Sequence, residues 1–265
     1  MKQPLAYIHP AAKIDPSVII DPFVTIEENV EIGAGTRIGS NVTIMAGARI
    51  GKNCTIFPGA VVSAVPQDLK FKGEDTVAII GDNTVLRECV TINRGTAAKG
   101  KTVVGSNCLI MAYCHVAHDC VVGDNVIMSN ATQLAGEVVV DNFAVIGGGT
   151  LVHQFCHIGP HVMVQGGALV NKDIPPFVKA AREPISYAGV NSIGLRRRGF
   201  SSETIREIQE IYRYLYLSGL NNSDAVERIE AELPATKERD EIILFVRNAK
   251  RGIIKGYVEL SHSQR

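Results

Sequence analysis

Along most of this chain an aliphatic side chain recurs at every sixth position. From Val104 the series runs without a gap through Ile110, Val116, Val122, Met128, Leu134, Val140, Ile146, Val152, Ile158 and Val164 to Val170. A strand alternates every two residues and a helix repeats about every 3.6, so a strict period of six belongs to neither alone. It is the spacing of a parallel β-helix built from hexads. The same frame opens at Ile8, holds to Val62, and returns at Ile80, Leu86 and Ile92. The interruptions at 63–79 and 93–103 are therefore expected to be loops that leave and rejoin one continuous solenoid.

A second slot, two residues before each aliphatic, is small throughout: Val18, Val24, Val30, Thr36, Val42, Ala48, Cys54 and Ala60. A coil corner admits little bulk beside its aliphatic partner, and larger side chains would overpack it. Glycine directly after the aliphatic, with asparagine two residues further on (Asn41, Asn53, Asn83, Asn107, Asn125), supplies tight-turn chemistry at the corners. Three hexads make a triangular coil of 18 residues. At a strand spacing of about 4.8 Å, about nine coils give a prism roughly 40 to 45 Å long.

Pro175 and Pro176 fall where the next aliphatic is due, so the solenoid is expected to fill residues 1–176 and stop. Residues 177–200 read as an irregular connection. Residues 201–265 read as a small helical domain that covers the end of the solenoid. Ser201 or Ser202 can cap a helix with Ile205, Ile208, Ile211, Tyr212 and Leu215 on one side, ending near Gly219. Ser223 can cap a second helix that ends before Pro234, and Ile242, Ile243, Phe245, Val246, Ile253 and Ile254 suggest a third.

Composition narrows the function classes. The 265 residues carry 27 Lys and Arg against 27 Asp and Glu, so an electrostatic grip on nucleic acid or on a membrane surface is not the main activity. Met1-Lys2-Gln3-Pro4 has no apolar segment behind its lysine, and no stretch approaches the roughly 18 apolar residues of a membrane span, which makes the cytoplasm the expected location. Of the six cysteines, Cys54, Cys108, Cys114, Cys120 and Cys156 occupy the small inward slot. They read as core packing rather than metal or redox chemistry, since no CxxC occurs.

The hexad frame also says which side chains lie outside the core. The corner position two after the aliphatic points outward, and His118, Gly136 and Gln154 hold it in three successive coils along one edge. An imidazole beside the unobstructed backbone N–H of a glycine suits attack on a carbonyl, where a nucleophile loses a proton and an oxyanion develops. Asp119 would fix the tautomer of His118 and stabilise its charged form. From these residues alone, a merely solvated histidine on a solenoid corner remains open. His153, His157 and His161 invite a zinc reading but occupy different hexad positions, and His9 and His262 stand alone. The charged residues 67–74 read either as a solvated loop or as a functional one. Residues 93–101 are basic and glycine-rich but lack the spacing of a phosphate-binding loop.

The segments Gln67-Asp68-Leu69-Lys70, Val90-Thr91-Ile92-Asn93-Arg94-Gly95-Thr96, His115-Val116-Ala117-His118-Asp119-Cys120, Leu151-Val152-His153-Gln154-Phe155-Cys156, Asp173-Ile174-Pro175-Pro176, Gly189-Val190-Asn191 and Arg197-Arg198-Gly199-Phe200 intervene between or interrupt the hexads. Together, and in order over nearly the whole chain, they resemble the acyl-carrier-protein-dependent UDP-N-acetylglucosamine O-acyltransferases of lipid A biosynthesis. The resemblance implies a mainly β fold, a left-handed parallel β-helix of hexapeptide repeats with a C-terminal α-helical domain; the period itself does not reveal hand. It further implies a homotrimer with sites in the clefts between neighbouring prisms, and no metal or other cofactor.

By the same resemblance His118 is the general base, Asp119 its partner, and Gly136 the backbone donor to the thioester oxygen. His115, Asp68 and Lys70 match residues around the sugar, His153 and Gln154 match cleft residues, and Asn191, Arg197 and Arg198 match contacts to the nucleotide or carrier. Gly166, at another outward corner, matches the position that sets the depth of the acyl groove. The implied reaction moves an (R)-3-hydroxyacyl chain from acyl-carrier protein to the 3-hydroxyl of UDP-N-acetylglucosamine. Arg196, Arg197, Arg198, Lys250, Arg251 and Lys255 are plausible docking sites for the acidic carrier. Glu137 departs from the family's usual histidine in the cleft, and Ile193 from its usual acidic residue near the nucleotide. The alternatives are the related UDP-3-O-acylglucosamine N-acyltransferase, which normally carries an extra N-terminal domain, and a non-catalytic solenoid with a flat binding face.

Overall fold

Each hexad folds as a short extended step that ends on the aliphatic residue, followed by a corner. The computed structural model describes residues 4–256. Successive steps fall on three parallel sheets in turn, so the coil is triangular. We call the faces A, from Tyr7–Ile8 to Leu169–Val170, B, from Lys13–Ile14 to His157–Ile158, and C, which begins at Ile19–Ile20. Within a face each aliphatic pairs with the one a coil further on, as Val116 does with Leu134 and Leu134 with Val152. The rungs are buried from Ile26 onward, and Ile8, Ile14 and Ile20 pack against them partly buried. The residue three past the rung adopts a left-handed backbone, with φ of 60° at Asn41, 54° at Asn53 and 57° at Asn107. Asparagine tolerates that region better than most side chains, which explains its recurrence at the corners.

The two interruptions keep the frame because their lengths are whole hexads. Val62 pairs with Ile92 and Ile92 with Val116, spacings of 30 and 24 residues where an uninterrupted coil takes 18. Both excursions leave face A and rejoin face B. They therefore emerge from the same edge, in the two coils that precede the coil of His118. Strand pairing runs further into them than the period suggested, through Val61–Ala64, Val77–Ile80, Thr91–Asn93 and Lys101–Val104.

At the other end the solenoid does not stop at Pro176. Ile158 bridges to Ile174 and Val164 pairs with Ala180, each sixteen residues on, so the last coil is two residues short and Ile174 takes the rung that the period assigned to Pro176. Residues 177–200 are correspondingly more regular than expected. Strands Val178–Ala181 and Ser186–Val190 form an antiparallel hairpin that extends face C, and helix α1 covers Ser192–Arg197.

Helix α2, Ser202–Leu217, is capped by Ser201 and buries Ile205, Ile208, Ile211, Tyr212 and Leu215. The buried Tyr212 hydroxyl donates to the Pro176 carbonyl, which seats the helix on the end of the prism. Helix α3, Asn222–Glu232, is capped by Asn221 and not by Ser223, because the Asn221 side chain accepts from Asp224 N. Helix α4 is Lys237–Asn248. Ile253 and Ile254 do not prolong it: Gly252 turns the chain with a φ of 66°, Ile253 bridges to Asp173, and Lys255–Gly256 adds a strand beside Ser186–Val190. Residues 257–265, with His262, lie outside the described residues.

The five cysteines of the small slot are buried, and Cys89 is exposed. Burial pushes the Cys120 thiol up to about 12. No helix among the described residues is long and apolar enough to cross a membrane.

Candidate active site

The coil that carries His118 runs from the strand His115–Val116 through its corner to Cys120. Val116 and Cys120 fill the core, so the corner residues between them face the excursions on the edge between A and B. Asp119 takes the left-handed corner slot, with φ at 61°. Its carboxylate is fully buried and accepts from His118 Nδ1 at 2.8 Å through Oδ2. The second excursion closes over it. Thr96 Oγ1 donates to Oδ2 at 2.6 Å, Thr96 N to Oδ1 at 3.0 Å and Lys99 N to Oδ1 at 3.2 Å. Burial pushes the Asp119 carboxyl up, but the hydrogen bonds from Thr96 and His118 outweigh it, and the net displacement is below the usual carboxylate range.

An ionised carboxylate only accepts, so its contact places a hydrogen on His118 Nδ1 and leaves Nε2 as the basic nitrogen. Nε2 lies 3.9 Å from Asp68 Oδ2, on the first excursion. The imidazole thus stands between two carboxylates, that of Asp119 at Nδ1 and that of Asp68 beyond Nε2. His118 itself is only 9% exposed. The expectation of a solvated corner side chain fails because the two loops fold back over this edge; the imidazole is outside the prism core yet inside a covered site.

The first excursion is held by its neighbours. Asn93 Nδ2 donates to Val65 O at 3.1 Å, the Arg94 guanidinium lies over the Phe71 ring at 5.4 Å, and Phe71 N donates to Asp68 O at 3.0 Å. Beside His118 opens a cleft of about 400 Å³, whose lining includes Gln67, His115, Gly136 and Gln154. His115 stands on face A with Nδ1 2.7 Å from Thr91 Oγ1, and burial lowers its pKa. The backbone ladder engages Ala135 N with Val152 O at 3.1 Å and Glu137 N with His118 O at 3.0 Å, and passes over the N–H of Gly136 between them. Glu137 lies 3.9 Å from Lys99 Nζ, so the acidic group at that position has a cation beside it.

The remaining candidates are spread more widely. Lys70 is exposed, and its N–H donates to Asp68 Oδ1 at 2.9 Å. His153 is exposed with Nδ1 3.0 Å from Gln154 O, His157 meets Asp141 at 2.7 Å, and His161 stacks on Phe143 at 4.9 Å, so the three imidazoles point apart. Asn191 is used locally: it caps α1 by accepting from Gly194 N at 3.3 Å and donates to His161 O at 3.0 Å. Arg198 lies over Phe143 at 4.3 Å, and Arg197 and Ile193 are exposed beside it on α1. This group sits on the edge between B and C. Gly166 sits on the edge between C and A. Within one chain neither reaches the cleft at His118.

Thr91, Thr96, Lys99 and Thr102, whose Oγ1 accepts from Asp119 N at 2.8 Å, support the site; Thr91 and Thr96 lie in a segment that carries the family resemblance, yet the sequence alone gives neither a role. Counting coils places both excursions on the edge of His118, and that is the signal that could have pointed to them.

Comparison with known proteins agrees with this geometry. Residues 173–254 match the family model described as UDP-N-acetylglucosamine O-acyltransferase domain 2. Residues 101–136 match bacterial transferase hexapeptide repeats, and residues 2–103 match a GMPPB C-terminal domain. An acyl-[acyl-carrier-protein]--UDP-N-acetylglucosamine O-acyltransferase of Chlorobium phaeobacteroides is 57% identical over 194 residues, covering 73% of this chain and 74% of that protein. The chain belongs to this O-acyltransferase family. A relative of the same description from Myxococcus xanthus is 45% identical over 197 residues, 74% of this chain and 76% of its own. Among solved structures, a UDP-N-acetylglucosamine acyltransferase from Bacteroides fragilis superposes with a TM-score of 0.94 at 56% identity, over 96% of this chain and all of that one (100%). One from Arabidopsis does so at 0.84 and 34% identity, over 96% of this chain and 100% of its own. The hexad stack is thus the left-handed parallel β-helix of the O-acyltransferase family.

Proposed function

We propose that this chain transfers an (R)-3-hydroxyacyl group from acyl-carrier protein to the 3-hydroxyl of UDP-N-acetylglucosamine, the first step of lipid A biosynthesis, in the cytoplasm. The observation that carries the reading is the covered His118–Asp119 pair, whose Nε2 is left free next to Gly136 at the cleft. His118 Nε2 takes the proton of the sugar hydroxyl as its oxygen attacks the thioester carbon. The Gly136 N–H donates to the oxyanion that forms. Collapse of that intermediate breaks the C–S bond, and the imidazolium returns its proton to the departing thiolate. Asp119, held ionised by Thr96, stabilises the imidazolium between these two transfers. His115, Asp68, Lys70, His153 and Gln154 are assigned to the sugar and the cleft, and Asn191, Arg197 and Arg198 to the nucleotide or the carrier. Arg196, Lys250, Arg251 and Lys255 add positive charge for an acidic carrier.

The distribution of these residues over three edges of one prism supports a homotrimer, in which the edge of His118 faces a different edge of a neighbouring copy. Mixing His118→Ala subunits with Arg198→Ala subunits should then restore part of the activity, whereas a fully active monomer would contradict the shared site. Replacing His118 by Ala in the trimer should lower turnover by the roughly 10² to 10⁴ expected of a general base, without unfolding a prism whose rungs it does not touch. Near-normal acyl transfer by that variant would end the assignment.

A further inference from the structure

The Asp119 carboxylate has partners that the proton transfers do not use. Thr96, 7% exposed, donates its hydroxyl at 2.6 Å to the same Oδ2 that receives His118 Nδ1 at 2.8 Å, and its backbone N–H to Oδ1 at 3.0 Å. The hydroxyl has a fixed direction: an ionised Oδ2 cannot donate, so the Thr96 hydrogen is committed to it, while Oγ1 accepts from Ala98 N at 3.2 Å. Hydrogen bonds to an ionised acceptor are roughly twice as strong as neutral ones, and each draws charge away from the oxygen that receives it. The two contacts tie the glycine-rich second loop to the residue that orients the imidazole.

We infer that Thr96 is a positioning residue for His118: its hydroxyl and amide hold the Asp119 carboxylate in place and draw off part of its charge, and thereby set how firmly the imidazole holds a proton. Removing the hydroxyl concentrates charge on Oδ2, favours the imidazolium, and raises the pH at which His118 becomes a free base. The inference rests on the role given to His118 above. The other charged or titratable groups around the imidazole are Asp68 from the first loop, His115 on the strand that leads into its corner, and Lys99 and Glu137 beside Asp119 and Gly136. None of these groups is itself replaced in the Thr96 variants, and because the Thr96 hydroxyl also accepts from Ala98 N beside Lys99, the valine, alanine and serine variants are compared together.

The test compares the wild-type protein with Thr96→Val, which keeps the branched shape and the amide, Thr96→Ala, which removes the hydroxyl without adding a methyl, and Thr96→Ser, which restores the donor. In each, the His118 imidazole is titrated by NMR, with its resonance assigned by its loss in His118→Ala, and the acid limb of kcat/KM is measured. Both the imidazole midpoint and the acid limb should rise by on the order of half a pH unit in Val and Ala and return in Ser. A loop that served only structure would lower kcat and leave the midpoint alone. An unmoved midpoint in either folded variant, or a serine variant displaced as far as valine, overturns the inference. A midpoint that rises while the acid limb stays fixed supports the hold of Thr96 on the dyad and instead sinks the assignment of His118 as the base.

Discussion

The imidazole of His118 fills the space that a side chain on Gly136 would need: a Cβ there would lie 2.6 Å from both Cε1 and Nε2. Gly136 has no left-handed backbone to explain it, so the glycine is required by the neighbour alone. Gly136→Ala should fold with an unfolding midpoint near that of the wild type, because the position is outside the core. Its kcat/KM should fall by about 10², the scale expected when a reacting group is displaced by about an ångström. Wild-type kinetics in a folded Gly136→Ala protein would show that the imidazole works from another position.

Lys99 bonds Asp119 O at 3.1 Å and stands 3.9 Å from Glu137, the residue after the proposed oxyanion donor. A free carboxylate there would oppose the charge that develops on the thioester oxygen. Lys99→Met should therefore lower kcat by roughly threefold to tenfold, the scale of an unscreened charge at a half-covered site. Glu137→Gln should recover part of that loss in the double variant while doing little alone. The double-mutant cycle is the measurement, and log-additive effects would show that the pair is uncoupled.

His161 is packed among Phe143, Phe177 and Phe200 at ring distances of 4.9, 5.7 and 5.1 Å. Burial, followed by Arg198 and Lys237, pushes its pKa down to about 4. The unfolded chain takes up a proton near the ordinary value of about 6.5 and the folded one does not, so this site favours folding at neutral pH. That contribution declines as pH falls below about 6.5 and is gone once the folded value is passed. His161→Phe should therefore lose less thermal stability than the wild type between pH 7 and pH 4. Parallel Tm profiles for the two proteins would exclude the effect.

We propose that Gly166, which the family resemblance places at the end of the acyl groove, leaves that groove open to a long 3-hydroxyacyl chain because it carries no side chain. A Cβ there would come 3.1 Å from Gly148 O, a contact that a small shift relieves, so Gly166→Met should fold. It should move the preference towards shorter donors, each lost methylene contact being worth roughly 0.8 kcal/mol, and leave the chemistry at His118 intact. Relative kcat/KM across a series of acyl-carrier-protein thioesters decides it. An unchanged profile would place the end of the groove elsewhere, for example near Pro184.

The rungs from Ile8 to Val170 could be read directly because burial at every sixth residue leaves a mark that no loop erases, and α2 could be placed because Ser201 and its apolar stripe agree. The end of the solenoid was harder. Ile174 arrives two residues early, which the period assigns to Pro176, and the hairpin after it is too short to show a pattern of its own. At the site, the pairing of His118 with Asp119 follows from adjacency and a corner, whereas the cover over His118 depends on loops whose course no periodicity encodes. Thr96 lies in a segment that carries the family resemblance, yet its bond to Asp119 cannot be read until the path of its loop is known. Asn191 matched a binding position in the family motif, and the structure also shows it capping a helix, a role its side chain performs without any ligand.

The excursions and the catalytic corner occupy one edge in consecutive coils, and this bears on how the site comes into being. Asp68, Thr96, His118 and Gly136 follow one another along the chain, each about one coil after the last. Thr96 meets Asp119, and His118 meets Gly136, across neighbouring turns, while Asp68 reaches His118 across one intervening coil, much as in a stack held mainly by nearest-neighbour interfaces. No distant part of the polypeptide has to be gathered in to complete the dyad and its cover, so the entropy of closing a long loop is never paid in a single step. Such a site can mature in the order in which a nascent chain appears, with the base arriving after the two loops that will shelter it and just before the glycine that leaves it room.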